Sequence, residues 1–190
     1  IEAIRAALPE LPDQKRLRFE SEYGLSAHDA RLLSASRALA DFFEVAARAH
    51  GTAKSVANWM LRDLLAALKE REIEIEAAAI APEALARLIE MVDQGRVTAK
   101  SARDLVAELT EQGGDPDVLV RERGLEAVSD AGLLESVADE VIGANPDAAR
   151  AYAEGDKKLV NFLMGQVMKK TQGKADPGRV REILARKLEE

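Results

Sequence analysis

Apolar positions recur along most of the chain at steps of three and four, the period of a helix with one buried face. Leu32/Leu33, Leu39, Phe42/Phe43 and Ala46/Ala47 form one such stripe. Val56, Trp59/Met60, Leu64 and Leu68 form a second, and Leu85, Leu88/Ile89 and Val92 a third. Alternation of period two is confined to Glu72-Ile73-Glu74-Ile75-Glu76. That is too short to argue a sheet and reads as an extended linker between helices. The pattern predicts an all-α protein.

Caps and breakers divide the pattern. Leu8-Pro9-Glu10-Leu11-Pro12 cannot lie inside a helix, because each proline lacks an N–H and restricts its predecessor. A short helix is expected over 13–23, stopping at Gly24. Ser26, with Asp29 three residues on, caps a long helix to residue 49, and Gly51 stops it. Thr52 caps the next, to residue 71. Pro82 opens a helix that ends at Gly95, and Thr98 caps one that ends at Gly113-Gly114. Asp115-Pro116 opens a short helix stopping at Gly124. Ser129 caps another, to Gly143. Asn145-Pro146 opens one that ends at Gly155. Asp156 caps the longest basic helix, to residue 172, and Asp176-Pro177 opens the last. Caps recur at irregular spacing with no repeated residues, which excludes a solenoid and predicts a bundle of roughly ten helices. The main boundary is placed at 123–125, where glycine stops flank a short helix. It separates a helical bundle domain, 25–123, from a smaller helical tail, 124–190.

Composition removes several classes of chemistry. The 190 residues include no cysteine, which excludes disulfides, a thiol nucleophile and thiolate-bound metals. No apolar run reaches transmembrane length and no signal peptide is visible, so a cytoplasmic location with no membrane partner is expected. The sequence begins at Ile1, and an N-terminal part is expected to be absent. The net charge of −7 is unevenly spread: residues 156–190 carry 9 Lys and Arg against 5 Asp and Glu, whereas the rest carries 18 against 29. A basic end on an acidic body suggests a segment that meets an anion, against the plainer reading of a solvated helix face.

Catalytic constellations are absent from the sequence. His28 and His50 are the only histidines, each near a helix end and without a partner set, so structural or solvated roles are expected. No catalytic or metal-binding residue is assigned. The segment 156–177 holds the candidate site. Leu159, Phe162/Leu163 and Val167 mark an apolar face, whereas Lys158, Asn161, Gly165, Lys169 and Gln172 share another. A mid-helix glycine costs about 1 kcal/mol relative to alanine, and close approach of another backbone is the usual offset. That backbone is either a neighbouring helix or a sugar–phosphate strand. Lys174 then stands just ahead of a helix N-terminus, a favoured anion site. Trp59 and Phe162 read as core rather than stacking platforms, and Met164 and Met168 as gap fillers. Arg16 and Arg18 read first as an exposed face. Arg179 and Arg181, in a first helical turn where the dipole disfavours cations, are weaker anion-binding candidates.

These residues resemble a known family, GatB, the B subunit of aspartyl/glutamyl-tRNA amidotransferase. The likeness runs in order through Leu8-Pro9-Glu10-Leu11-Pro12, Lys15, Arg16, Arg18-Phe19, Glu22-Tyr23-Gly24-Leu25-Ser26 and Asp29-Ala30. It continues through Leu39-Ala40-Asp41-Phe42-Phe43-Glu44, Asn58-Trp59, Asp115-Pro116, Arg123-Gly124-Leu125, Ser129-Asp130 and Asn145-Pro146. The run from Phe162 to Lys170 with Gly173-Lys174-Ala175 looks like the family's tail motif. The chain departs from that motif at Asn161, Met164, Gln172 and Asp176, where the family usually has glycine, valine, lysine and asparagine.

The resemblance implies an all-α helical domain and a YqeY-like tail, following a missing N-terminal cradle domain to which 1–24 would connect. In the family, the cradle uses ATP and magnesium to activate the carboxylate of misacylated tRNA, converting Glu-tRNA(Gln) or Asp-tRNA(Asn) to the amide. The holoenzyme is thereby a glutamine-hydrolysing carbon–nitrogen ligase with an amidase subunit and a small third subunit. The archaeal paralogue that makes only glutaminyl-tRNA carries similar C-terminal domains. For this chain the resemblance implies a tRNA-binding region with no catalytic site or cofactor of its own and no DNA partner. Its candidate contacts are Lys158, Asn161, Gly165, Lys169, Lys170, Gln172 and Lys174. The alternative is a scaffold that docks a partner protein without touching RNA.

Overall fold

The computed structural model describes residues 10–127 and 131–189. Two sequence features, Leu8-Pro9 and the Ser129 cap, lie outside the described residues. The described residues form twelve α-helices, one π turn and one 3-10 turn. Their one noted β-type pairing is an isolated bridge between Val97 and Glu126. The all-α expectation holds. The described residues fall into two compact units, one within residues 1–90 and 102–119 and the other within residues 91–101 and 120–190.

The first unit opens with α1 (Pro12–Glu22). Next come α2 (Ala27–Leu33) and α3 (Arg37–His50) where one long helix was expected. Two serines explain the break. The Ser34 hydroxyl donates to the Ala30 carbonyl at 2.7 Å, and Ser36 accepts from the Leu39 amide at 3.1 Å, starting a new helix. The core gathers Phe19, Leu33, Phe43, Met60, Leu64, Leu85 and Leu88, all with no exposed surface. Phe19, Tyr23 and Phe43 meet in tilted and edge-on pairs with centroids 5.0–5.5 Å apart, a geometry that aromatic quadrupoles favour.

The helix expected over 52–71 is present in three parts: α4 (Ala53–Trp59), a π turn (Met60–Leu64) and α5 (Leu65–Glu70). Thr52 does not cap it through its side chain; the Thr52 carbonyl instead accepts from Val56. The expected linker over 72–76 is not fully extended, because Ile75–Ala77 makes a 3-10 turn that buries Ile75. Then come α6 (Pro82–Asp93), α7 (Ala99–Gln112) and α8 (Pro116–Glu122). Gly113 closes α7 at φ +69°, and a Cβ there would stand 2.9 Å from the Ala79 carbonyl oxygen, so both backbone and space require glycine.

In the second unit, the tip between α6 and α7 pairs with the chain leaving α8, where Ala127 donates to the Arg96 carbonyl at 2.7 Å. A small bundle follows: α9 (Ala131–Ala144), α10 (Pro146–Ala153), α11 (Leu159–Lys170) and α12 (Pro177–Glu189). Its core is Leu134, Ala138, Val141, Leu163, Val167, Ala175, Val180 and Leu184, with Met164 and Met168 packed at its edge. Helix α11 is shorter than expected, 12 residues, and the basic α12, 13 residues, is longer. Asp156 accepts from the amide of Lys158, only two residues on, and so shapes a turn rather than capping a helix.

Candidate nucleic-acid interface

Helix α11 places the candidate residues. At 100° per residue, Val160, Leu163, Met164, Val167 and Thr171 fall on one stripe, all buried or half-buried, with half-buried Leu159, Gln166 and Met168 beside it. The opposite face carries Lys158, Asn161, Phe162, Gly165 and Lys169, all exposed. The structure therefore brings four of the seven candidates together, Lys158, Asn161, Gly165 and Lys169. It also adds Phe162, expected in the core and instead 46% exposed. The buried face is turned from the one the sequence suggested: the bundle closes on Leu163 and Val167, with Val160, Met164 and Met168 packed against it, and leaves Phe162 at the exposed side.

Of the two offsets open to Gly165, a neighbouring helix is absent among the described residues. A Cβ built on it would meet nothing within 4 Å. The residue sits inside α11 with no positive φ to require glycine. Arg181, from α12, joins this face by donating to Asn161 Oδ1 at 2.8 Å. Among the described residues, neither Lys158 nor Lys169 forms an ion pair.

The remaining candidates are placed differently. Lys170 turns towards α9 and donates to Glu140 at 2.6 Å. Gln172 follows the helix end in the left-handed region, φ 55°, where Gly173 donates back to Met168 and closes the terminus. Lys174 Nζ lies 3.9 Å from where a Gly124 Cβ would stand. The N-terminus of α12 is already occupied: Asp176 Oδ1 accepts from the Arg179 amide at 2.8 Å. The expected anion site ahead of that helix is therefore filled by the chain's own carboxylate.

The first unit offers a contrast. A cleft of about 430 Å³ is lined by Leu11, Lys15, Arg18, Arg37, Asp41 and Glu44, among others. Its cations are engaged: Lys15 pairs with Asp41 at 2.7 Å and Glu44 at 3.2 Å, and Arg18 pairs with Glu10 at 2.7 Å and Glu44 at 2.6 Å. The Arg18 hydrogen bond holds the Glu10 carboxyl below its usual range against opposing burial. Burial pulls Lys15 down, but hydrogen bonds to Asp41 and Glu44 outweigh it and leave Lys15 raised. This is a structural clamp. Arg16 and Arg18 thus part ways: Arg18 is in the clamp, whereas Arg16 lies near Asp13 at 3.9 Å. Among the described residues, no group of three or more acidic or histidine side chains could hold a metal. No described helix is long and apolar enough to cross a membrane.

Fold and site define an all-helical chain with an open cationic helix face and, among the described residues, no nucleophile–base constellation. Residues 41–188 match the GatB domain, and the chain belongs to that family. It is 43% identical to the aspartyl/glutamyl-tRNA(Asn/Gln) amidotransferase B subunit of Carboxydothermus hydrogenoformans, across 99% of this chain and 39% of that protein. The same subunit of Thermosynechococcus vestitus is 45% identical across 98% of this chain and 37% of its own length. That of Oleidesulfovibrio alaskensis is 46% identical across 97% and 39%. The chain thus spans about two fifths of the length of these relatives.

Proposed function

We propose that this chain is the tRNA-holding region of an amidotransferase GatB protein. The complete protein, with an amidase subunit and a small third subunit, converts Glu-tRNA(Gln) or Asp-tRNA(Asn) to the amidated form in the cytoplasm, using ATP and magnesium held outside this chain. The region grips folded tRNA through phosphates and 2′-hydroxyls, with at most a few contacts to exposed bases. The observation that carries the reading is the open face of α11, where Lys158 and Lys169 have no carboxylate partner among the described residues and Gly165 leaves the backbone bare. Lys174 and Gln172 extend the contact beyond the helix end. Lys170 contributes less, since Glu140 already holds it.

A titration of the complete protein with an unmodified tRNA transcript tests this. Changing Lys158, Lys169 and Lys174 together to alanine should weaken binding about tenfold or more, whereas Lys170→Ala alone should have a smaller effect. Binding indifferent to all four lysines would favour the scaffold, in which the same face docks a protein.

A further inference from the structure

Helix α11 leaves one large apolar side chain exposed. Phe162 is 46% exposed, four residues after Lys158, three before Gly165 and seven before Lys169. An exposed phenyl ring beside a bare stretch of helix backbone, flanked by cations, is not what protein interfaces select, because lysine is depleted from their cores. It is what single-stranded nucleic acid selects: an aromatic face for a base, an open path for the sugar, and cations for the phosphates.

We propose that Phe162 is a stacking platform for one unpaired nucleobase of the bound RNA. The base lies on the ring, and its sugar–phosphate crosses the helix at Gly165, where no side chain intervenes. Lys158 and Lys169 meet the flanking phosphates from opposite ends of the face, about 16 Å apart along the axis. Arg181, steadied by Asn161 at 2.8 Å, supplies a third cation. This inference rests on the RNA-binding reading and deepens it. It assigns the tail a substrate class, RNA with a base free of its stack, and makes Phe162 the residue that distinguishes such RNA from a plain duplex.

The test uses the complete protein, an unmodified tRNA transcript and a blunt RNA duplex of similar length. Because Phe162 lies outside the core, Phe162→Leu and Phe162→Tyr should both fold, which an unchanged melting temperature confirms. Phe162→Leu should weaken tRNA binding by about five- to 150-fold, the range for loss of one base–aromatic stack, and leave duplex binding unchanged. Phe162→Tyr, which keeps an aromatic face, should bind tRNA within roughly twofold of the parent. Equal tRNA affinity for Phe162→Leu and the parent would overturn the platform, as would equal losses on tRNA and duplex. If the lysine variants still weaken binding in that event, the RNA-binding reading survives without it. If the parent binds no RNA, both fall.

Discussion

Gly165 is the residue on which most depends. Inside a helix, glycine is about 1 kcal/mol less favourable than alanine, and nothing around it among the described residues requires it. Gly165→Ala should therefore stabilise α11, slowing exchange of its amide hydrogens about fivefold in the complete protein. It should also weaken tRNA binding. Unchanged or faster exchange would mean that the glycine serves the bundle itself. Sequence showed that this glycine carried a cost and left two explanations; only the empty space around it removed the neighbouring helix. Phe162 was not legible in the same way. Phe162 and Leu163 are adjacent, and a helical period cannot say which edge of an apolar stripe the neighbours cover.

At the scale of elements, the legible boundaries were those marked by residues that cannot continue a helix. Pro82, Pro116, Pro146 and Pro177 each begin the helix they were expected to begin. The break between α2 and α3 was hidden because the apolar stripe continues across it, and Ser34 and Ser36 act through side-chain bonds that pattern does not display. The π turn was hidden too, since Met60 and Leu64 satisfy an ordinary helical period. Helix α1 is tied to α3 by Lys15 and Asp41. The hydrogen bond from Lys15, opposed by burial, holds the Asp41 carboxyl below its ordinary 3.8. A depressed carboxyl stabilises the fold above 3.8 and stops doing so as pH falls through its folded value. Asp41→Asn should accordingly speed amide exchange in α1 modestly at neutral pH, by a free energy under about 1 kcal/mol because the carboxylate is half exposed. The difference from the parent should shrink as pH is lowered below 3.8. A difference that persists in acid would show that Asp41 acts by packing rather than charge.

For the molecule as a whole, charge organises the reading. The chain carries a net −7, yet residues 156–190 hold an excess of 4 positive charges. An acidic body repels phosphate at long range, so RNA should settle on the one basic segment. The division into two units puts this segment wholly in the second, and the clamp of Lys15 and Arg18 wholly in the first. Sequence located the basic segment and its family, but not which lysines stand open. That depends on carboxylates distant in sequence, such as Glu140, thirty positions before Lys170.

The most direct test of the account is the salt dependence of tRNA binding by the complete protein, parent against Lys158→Ala/Lys169→Ala. Each phosphate contact releases counterions, giving a slope of roughly 0.7–0.9 log units of affinity per log unit of salt. The account predicts steep weakening with salt in the parent, and a slope shallower by about 1.5 in the double variant. Equal slopes for the two proteins would contradict it, since the open face of α11 would then carry no phosphate.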